Sequence, residues 1–257
     1  MLPKLRTFLA AALLGIALPA AALSPPVPPL LSSDQVIVVT TAGWDATEGR
    51  LQAFERTAAG WQPHGAAFTV AVGRSGSAWG RGLIVTPPDG PQKQEGDGRS
   101  PAGVFAVGTA FGYAATIRTA LPYQPMQSSS YCMDVPDSPY YNRIVDAEVV
   151  GSDAVEGSTE PMRLDLHDNG DVRYREGFVI EHNVPAEPGR GSCIFAHLWR
   201  QPGEATAGCT AMDPARMRTL LGWLNPAARP RFVLLPQAQY QRLQASWQLP
   251  ALPEVAP

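Results

Sequence analysis

Cys209 and His197 are the two residues of this chain best suited to covalent chemistry, and they lie twelve positions apart with the histidine first. A cysteine becomes an effective nucleophile when another group takes its proton, and an imidazole brought near by the fold is the commonest agent. Cys209 ends the stretch Thr206-Ala207-Gly208-Cys209, while His197 sits in the apolar run Ile194-Phe195-Ala196-His197-Leu198-Trp199. A glycine directly before the sulfur permits a tight turn in which the N–H groups of Gly208 and Cys209 point at a developing oxyanion. This arrangement suits acyl transfer through a thioester. A papain-like peptidase is disfavoured by order, because there the cysteine precedes the histidine.

Such a pair needs a rigid frame, and the surrounding sequence supplies the signals for one. Short β-favouring runs at 36–40, 68–72, 104–107, 177–180, 194–199 and 231–235 are separated by Gly, Pro, Asp and Ser clusters. We expect a mainly β, mainly antiparallel sandwich with long loops. One helix follows the cysteine loop: Asp213 suits its N-cap and Pro214 its first position, and Met217, Leu220, Leu221 and Leu224 share one face. If its N-terminus points at Cys209, it would lower the thiol pKa. The stretch around Asn169-Gly170, with His167, Asp168 and Asp171, reads as a hairpin turn before it reads as a ligand set. No metal or other cofactor is expected, and no phosphate-binding glycine loop is present.

Residues 1–22 have the form of an export signal, with Lys4 and Arg6, then an apolar stretch, then small residues through Ala22. That stretch is too short for a comfortable membrane span, which takes ~20 residues. Losing Lys4 and Arg6 with no acid moves the formal charge from −3 to −5 and leaves no basic signature for nucleic acid. A proline-rich linker over 23–35, a catalytic domain over 36–236 and a C-terminal tail over 237–257, loose from Pro250, complete the expected organisation, with no transmembrane segment after processing. At 45% hydrophobic and 17% charged, the chain can bury a full core without disulfide staples. Its three cysteines are an odd number for an oxidising compartment. One bridge between Cys132 and Cys193 would leave Cys209 free; a Cys193–Cys209 bridge would silence the thiol; three unpaired thiols are the remaining option.

The same residues resemble the L,D-transpeptidase (YkuD) catalytic domain family of bacterial cell-wall enzymes. Its pattern has a histidine on a strand, then a loop of Ser or Thr, any residue, Gly and the catalytic Cys, which Thr206 to Cys209 fits. Lys93 to Phe105, ending Ser100-Pro101-Ala102-Gly103-Val104-Phe105, is similar to the family's Thr/Ser-Pro-x-Gly-x-Phe segment. Asp137 to Asn142 and Pro188 to Ser192 resemble one branch. The chain differs in having His197-Leu198 where many members have His-Gly, and Cys209-Thr210-Ala211-Met212 where many carry an arginine after the cysteine.

The resemblance implies attack by Cys209 on the third residue of a peptidoglycan stem peptide, with His197 as general base and acid and a backbone carbonyl orienting the ring. An amine acceptor would give 3-3 cross-links and water would give trimming. The Cys-x-Ala-Met ending is similar to members that act on the link between a lipoprotein and peptidoglycan, so release of a wall-linked lipoprotein by a thiol amidohydrolase is an alternative. An inactive wall-binding protein is another. For substrate binding the candidates are Arg190, by a two-pronged grip on a carboxylate, together with Ser192, Thr206, His182 and Tyr141. Tyr140 and Asn142 are placed beside Tyr141 on the cleft wall, and Ser192 or Thr206 is also a possible partner of the imidazole. The expected location is the periplasm or cell envelope.

Overall fold

The computed structural model describes residues 28–253, and the export signal expected at 1–22 lies outside them. In chain order the strands begin with β1 (Gln35–Thr41), β2 (Glu48–Thr57), β3 (Gly60–Ala71), β4 (Ser77–Trp79), β5 (Ser100–Gly112) and β6 (Tyr123–Pro125). They continue with β7 (Ser130–Cys132), β8 (Ile144–Asp146), β9 (Glu160–Pro161), β10 (Glu176–Ile180), β11 (Phe195–Leu198), β12 (Thr210–Met212) and β13 (Arg231–Pro236). The helices are α1 (Ala147–Val150), α2 (Leu164–His167), α3 (Pro214–Trp223) and α4 (Gln237–Trp247).

The protein is mainly β, and the expected two layers are one continuous sheet. Its strands run β10-β11-β12-β3-β2-β1-β13-β5, and β5 pairs back onto β10, so the ends meet and the sheet closes as a barrel. Closure removes the unpaired edges that an open sheet would leave. Strands that face this interior on one side and a helix on the other read as unbroken apolar runs. β1 and β13 show this: Val36 to Val39 and Phe232 to Leu235 are all buried, and α4 packs on both strands. Each fully buried side chain of this size contributes about 1.5–3 kcal/mol.

Two of the ring contacts are parallel, β1 with β13 and β11 with β12. A parallel neighbour cannot be reached by a tight hairpin, so the chain must travel back along β11 before it restarts beside it. The 199–209 loop makes that journey. It returns Cys209 to the level of Phe195, where β11 began.

α3 forms where the sequence signals placed it. The Asp213 carboxylate accepts from Ala215 N at 2.8 Å and Arg216 N at 3.3 Å, and Met217, Leu220 and Leu221 are buried. Its far end is tied to β1 by the buried Gln35 side chain, which donates to Trp223 O at 2.9 Å and accepts from Asn225 N at 2.9 Å. At either end of the described residues the chain is packed on the domain where a linker and a tail were expected. Leu30 is buried, and Tyr240 and Leu249 of the C-terminal segment join the core because they are apolar and reach it. The stretch around Asn169-Gly170 forms a turn after α2 and not a hairpin; His167 Nε2 bonds Ser128 O at 2.9 Å.

A second, smaller sheet of β8-β7-β9 stands beside the barrel. Its Cys132 and Met162 share an apolar cluster with Phe111, Tyr174, Cys193, Phe195 and Cys209.

Candidate active site

Cys209 is held by its own loop and by β5. The Thr206 backbone is stitched to the end of β3, with Thr206 N donating to Val72 O at 2.9 Å and Arg74 N to Thr206 O at 2.7 Å. Gly73 leaves no room for a side chain there, since a Cβ would stand 2.4 Å from Gly98 O. Two hydroxyls converge on the Cys209 carbonyl: Thr206 Oγ1 donates at 2.7 Å and Ser100 Oγ at 2.9 Å. Ser100 in turn accepts from Gly73 N at 2.9 Å, so both hydroxyls are satisfied and fixed. Gly208 has φ 153°, a conformation L side chains rarely adopt, and an added Cβ would lie 3.1 Å from Arg99 O.

The parallel register sets Ala196 against Thr210 and His197 against Ala211. Cys209 and His197 therefore project from one face of neighbouring strands, offset by two residues. Both line a cleft of about 550 Å³. The His197 Nδ1 lies 2.7 Å from Leu198 O. A carbonyl only accepts, so Nδ1 carries the proton and Nε2 keeps its lone pair. This bond is the carbonyl partner that the family resemblance implied. Among the described residues the hydrogen bonds of the thiol go to the backbone and not to His197: Cys209 Sγ accepts from Phe195 N at 3.3 Å and donates to Cys193 O at 3.5 Å.

Burial pushes the Cys209 thiol up to about 12, and the Glu160 carboxylate adds to the rise. Burial also holds the His197 ring down to about 4. At neutral pH the pair is thus thiol and neutral imidazole. The lowered thiol pKa considered for a helix N-terminus is not found, since burial and Glu160 raise it instead; the Ala215 and Arg216 N–H groups of α3 are taken by Asp213. Of the two oxyanion donors expected, the Gly208 N–H is engaged with Thr206 Oγ1 at 3.1 Å. The Cys209 N–H has no acceptor among the described residues.

One wall of the cleft is carboxylate-rich. Glu95 Oε2 accepts from Ser192 Oγ at 2.7 Å and from the Tyr141 hydroxyl, while Glu160 Oε1 accepts from the Tyr174 hydroxyl. The Tyr174 ring packs edge-on against His197, with centroids 5.2 Å apart. Cys132 and Cys193 are joined, with Cα atoms 5.9 Å apart, and Cys209 is free. The bridge fastens the small sheet to the strand that carries His197. Glu160, Tyr174, Glu95 and Ser100 were not singled out from sequence. Ser100 lies in a segment that the resemblance had marked, which was the available signal.

Several candidates fall elsewhere. His182 is buried away from the cleft, its Nδ1 accepting from Arg81 N at 3.2 Å and its Nε2 donating to Arg190 O at 3.0 Å; burial lowers its pKa to about 4. It braces two loops. Arg190 lines a separate groove of about 860 Å³ with Leu83, Val85 and Val184. Tyr141 stands behind the wall, and Asn142 is spent on the backbone, accepting from Cys193 N at 2.9 Å and donating to His182 O and Asn183 O. Ser192 and Thr206 do line the cleft, but their hydroxyls serve Glu95 and Cys209 O and not the imidazole. Among the described residues no helix is long and apolar enough to cross a membrane.

No curated protein and no solved structure matches the chain. The family model of the L,D-transpeptidase catalytic domain (YkuD) does, over residues 45–233, which span the barrel from the turn before β2 into β13 together with the whole cleft. The chain belongs to the L,D-transpeptidase catalytic domain family.

Proposed function

We propose that this protein is an exported cysteine acyltransferase that acts on peptidoglycan stem peptides through a thioester on Cys209, forming 3-3 cross-links or trimming stems. The observation that carries this reading is the free Cys209 thiol in the same cleft as His197, whose Nδ1–H is fixed on Leu198 O so that Nε2 can act as base. Because thiol and imidazole are both neutral at rest, the proton moves as the sulfur attacks. The S–H leaves Cys193 O, His197 Nε2 takes the proton, and Sγ bonds the carbonyl carbon of the third stem residue. The Cys209 N–H donates to the oxyanion, a contact worth about 3 kcal/mol at such sites. The imidazolium then protonates the departing D-Ala amine, and an amine or water resolves the thioester.

Ala211 stands where many family members have arginine, and it is buried in β12. The exposed cation nearest in role is Arg74, which follows Gly73 at the cleft rim and makes no ion pair among the described residues. We assign it the substrate carboxylate.

Incubation with a carbapenem followed by mass spectrometry tests the thiol: an adduct on Cys209, absent from Cys209→Ala, is expected. A fully reduced protein that forms none would instead be a wall-binding member without turnover. Muropeptide digestion then separates the acceptors, since joined third-position stems mark transfer, free D-Ala alone marks trimming, and released lipoprotein peptide marks the amidohydrolase.

A further inference from the structure

Glu160 is the acid that the thioester chemistry above leaves unused. It lies on β9, in the small sheet that the Cys132–Cys193 bridge fastens to the barrel, and it faces the cleft together with Cys209 and His197. Its Oε1 is anchored by the Tyr174 hydroxyl, and Tyr174 is itself wedged between Phe111, Phe195 and His197. Its Oε2 has no protein hydrogen-bond donor among the described residues. A carboxylate with one oxygen fixed and the other without a donor, in the lining of the cleft that holds the thiol and the imidazole, is suited to receive a cation or a proton.

The charged and titratable groups around it are Tyr174, Asp134, Arg173 and Cys209. Asp134 is occupied by Thr159, through N at 3.0 Å and through the hydroxyl. Arg173 is occupied by Asp171 at 2.8 Å and Asp168 at 3.5 Å. Neither forms an ion pair with Glu160. Burial and Asp134 push the Glu160 carboxyl up to about 7, where a group can both take and release a proton near neutrality.

We propose that Glu160, oriented by Tyr174, binds the ammonium group of the acyl acceptor and takes its first proton, so that a free amine attacks the Cys209 thioester. This rests on the thioester reading above. The ammonium loses one proton to Glu160 Oε2. Nitrogen then bonds the thioester carbon, its second proton passes to His197 Nε2, and that proton reaches Sγ as the carbon–sulfur bond breaks. One N–H remains in the new amide, and Glu160 returns its proton to solvent. Glu160 thereby favours an amine over water, and Tyr174 is its positioning residue.

The test follows a tetrapeptide stem fragment as donor and acceptor, with products and the Cys209 acyl-enzyme read by mass spectrometry. In Glu160→Gln the ratio of transfer to hydrolysis is expected to fall at least ~10-fold, with acyl-enzyme accumulating. In the unaltered protein that ratio should rise with pH through about 7. Tyr174→Phe should move the rise to higher pH, because it removes the hydrogen bond that favours the carboxylate. A Glu160→Gln protein with an unchanged ratio overturns the proposal. So does a ratio in the unaltered protein that stays flat from about pH 5 to pH 9, a measurement that needs no variant. Acyl-enzyme on Cys209 in those experiments shows that the thioester reading stands, whereas its complete absence brings down both.

Discussion

Burial decides the protonation of this site, and with it the acid stability of the protein. His197 and His182 are both held neutral, each down to about 4 against an ordinary 6.5. A depressed folded pKa gives stability that is present above 6.5 and lost as pH falls through about 4, on the order of 3 kcal/mol for each ring. Glu160 runs the other way, its raised carboxyl contributing below 4.5 and losing that contribution through about 7. Urea unfolding between pH 7 and pH 4 should therefore show a net fall in stability, and His182→Gln should shrink it without touching the cleft. The Cys209 thiol adds a kinetic expectation. Alkylation by iodoacetamide should be slow at pH 7 and rise about tenfold per pH unit. His197→Ala should lower stem-dependent acylation by about 10²–10⁴. That Cys209 and His197 would share one cleft was legible, because residue type and order single them out. Ser100, Glu160 and Tyr174 were not, since each acts through a contact the fold creates: Ser100 reaches Cys209 O across 109 positions. His182, expected among the substrate-binding residues, lies outside the cleft for the same reason, because contacts with Arg81 N and Arg190 O fix its ring elsewhere.

α3 was legible in full, since a helix of this kind carries its cap, its first proline and its apolar face within one short stretch, from Asp213 to Leu224. Loss of the cap in Asp213→Ala should cost about 1 kcal/mol. The parallel pairing of β11 and β12 was not legible, for register between strands leaves no mark on either one alone. The small sheet was equally hidden, because β7, β8 and β9 have only two or three residues each. Its attachment is covalent, and the bridge spans 61 positions. Reducing it, or replacing Cys132 and Cys193 together by serine, should remove about 2–4 kcal/mol in a thermal or urea melt.

The closed barrel separates what holds the protein together from what does its chemistry. The cleft is built on β9, β11 and the cysteine loop, while α4 packs on β1 and β13, three or more strands away from β12 around the ring. Tyr240 of α4 is 1% exposed and donates to Pro250 O at 2.7 Å; Trp247 packs at a tilt against Trp79 with centroids 6.5 Å apart, and Arg242 donates to Asp89 at 2.8 Å. A chain ending at Pro236 would expose Tyr240's binding site and lose Leu249 from the core. With about 1.5–3 kcal/mol for each buried side chain and 2–4 °C for each kcal/mol in a domain of about this size, its Tm should fall by roughly 10 °C. At a temperature where both chains remain folded, carbapenem labelling of Cys209 should stay within about twofold, since no group of α4 reaches the thiol, the imidazole or Glu160. A truncated chain that keeps its Tm would show that the helix adds nothing to the core. One that keeps its fold but labels many times more slowly would show that the barrel transmits strain from β1 and β13 to the cysteine loop.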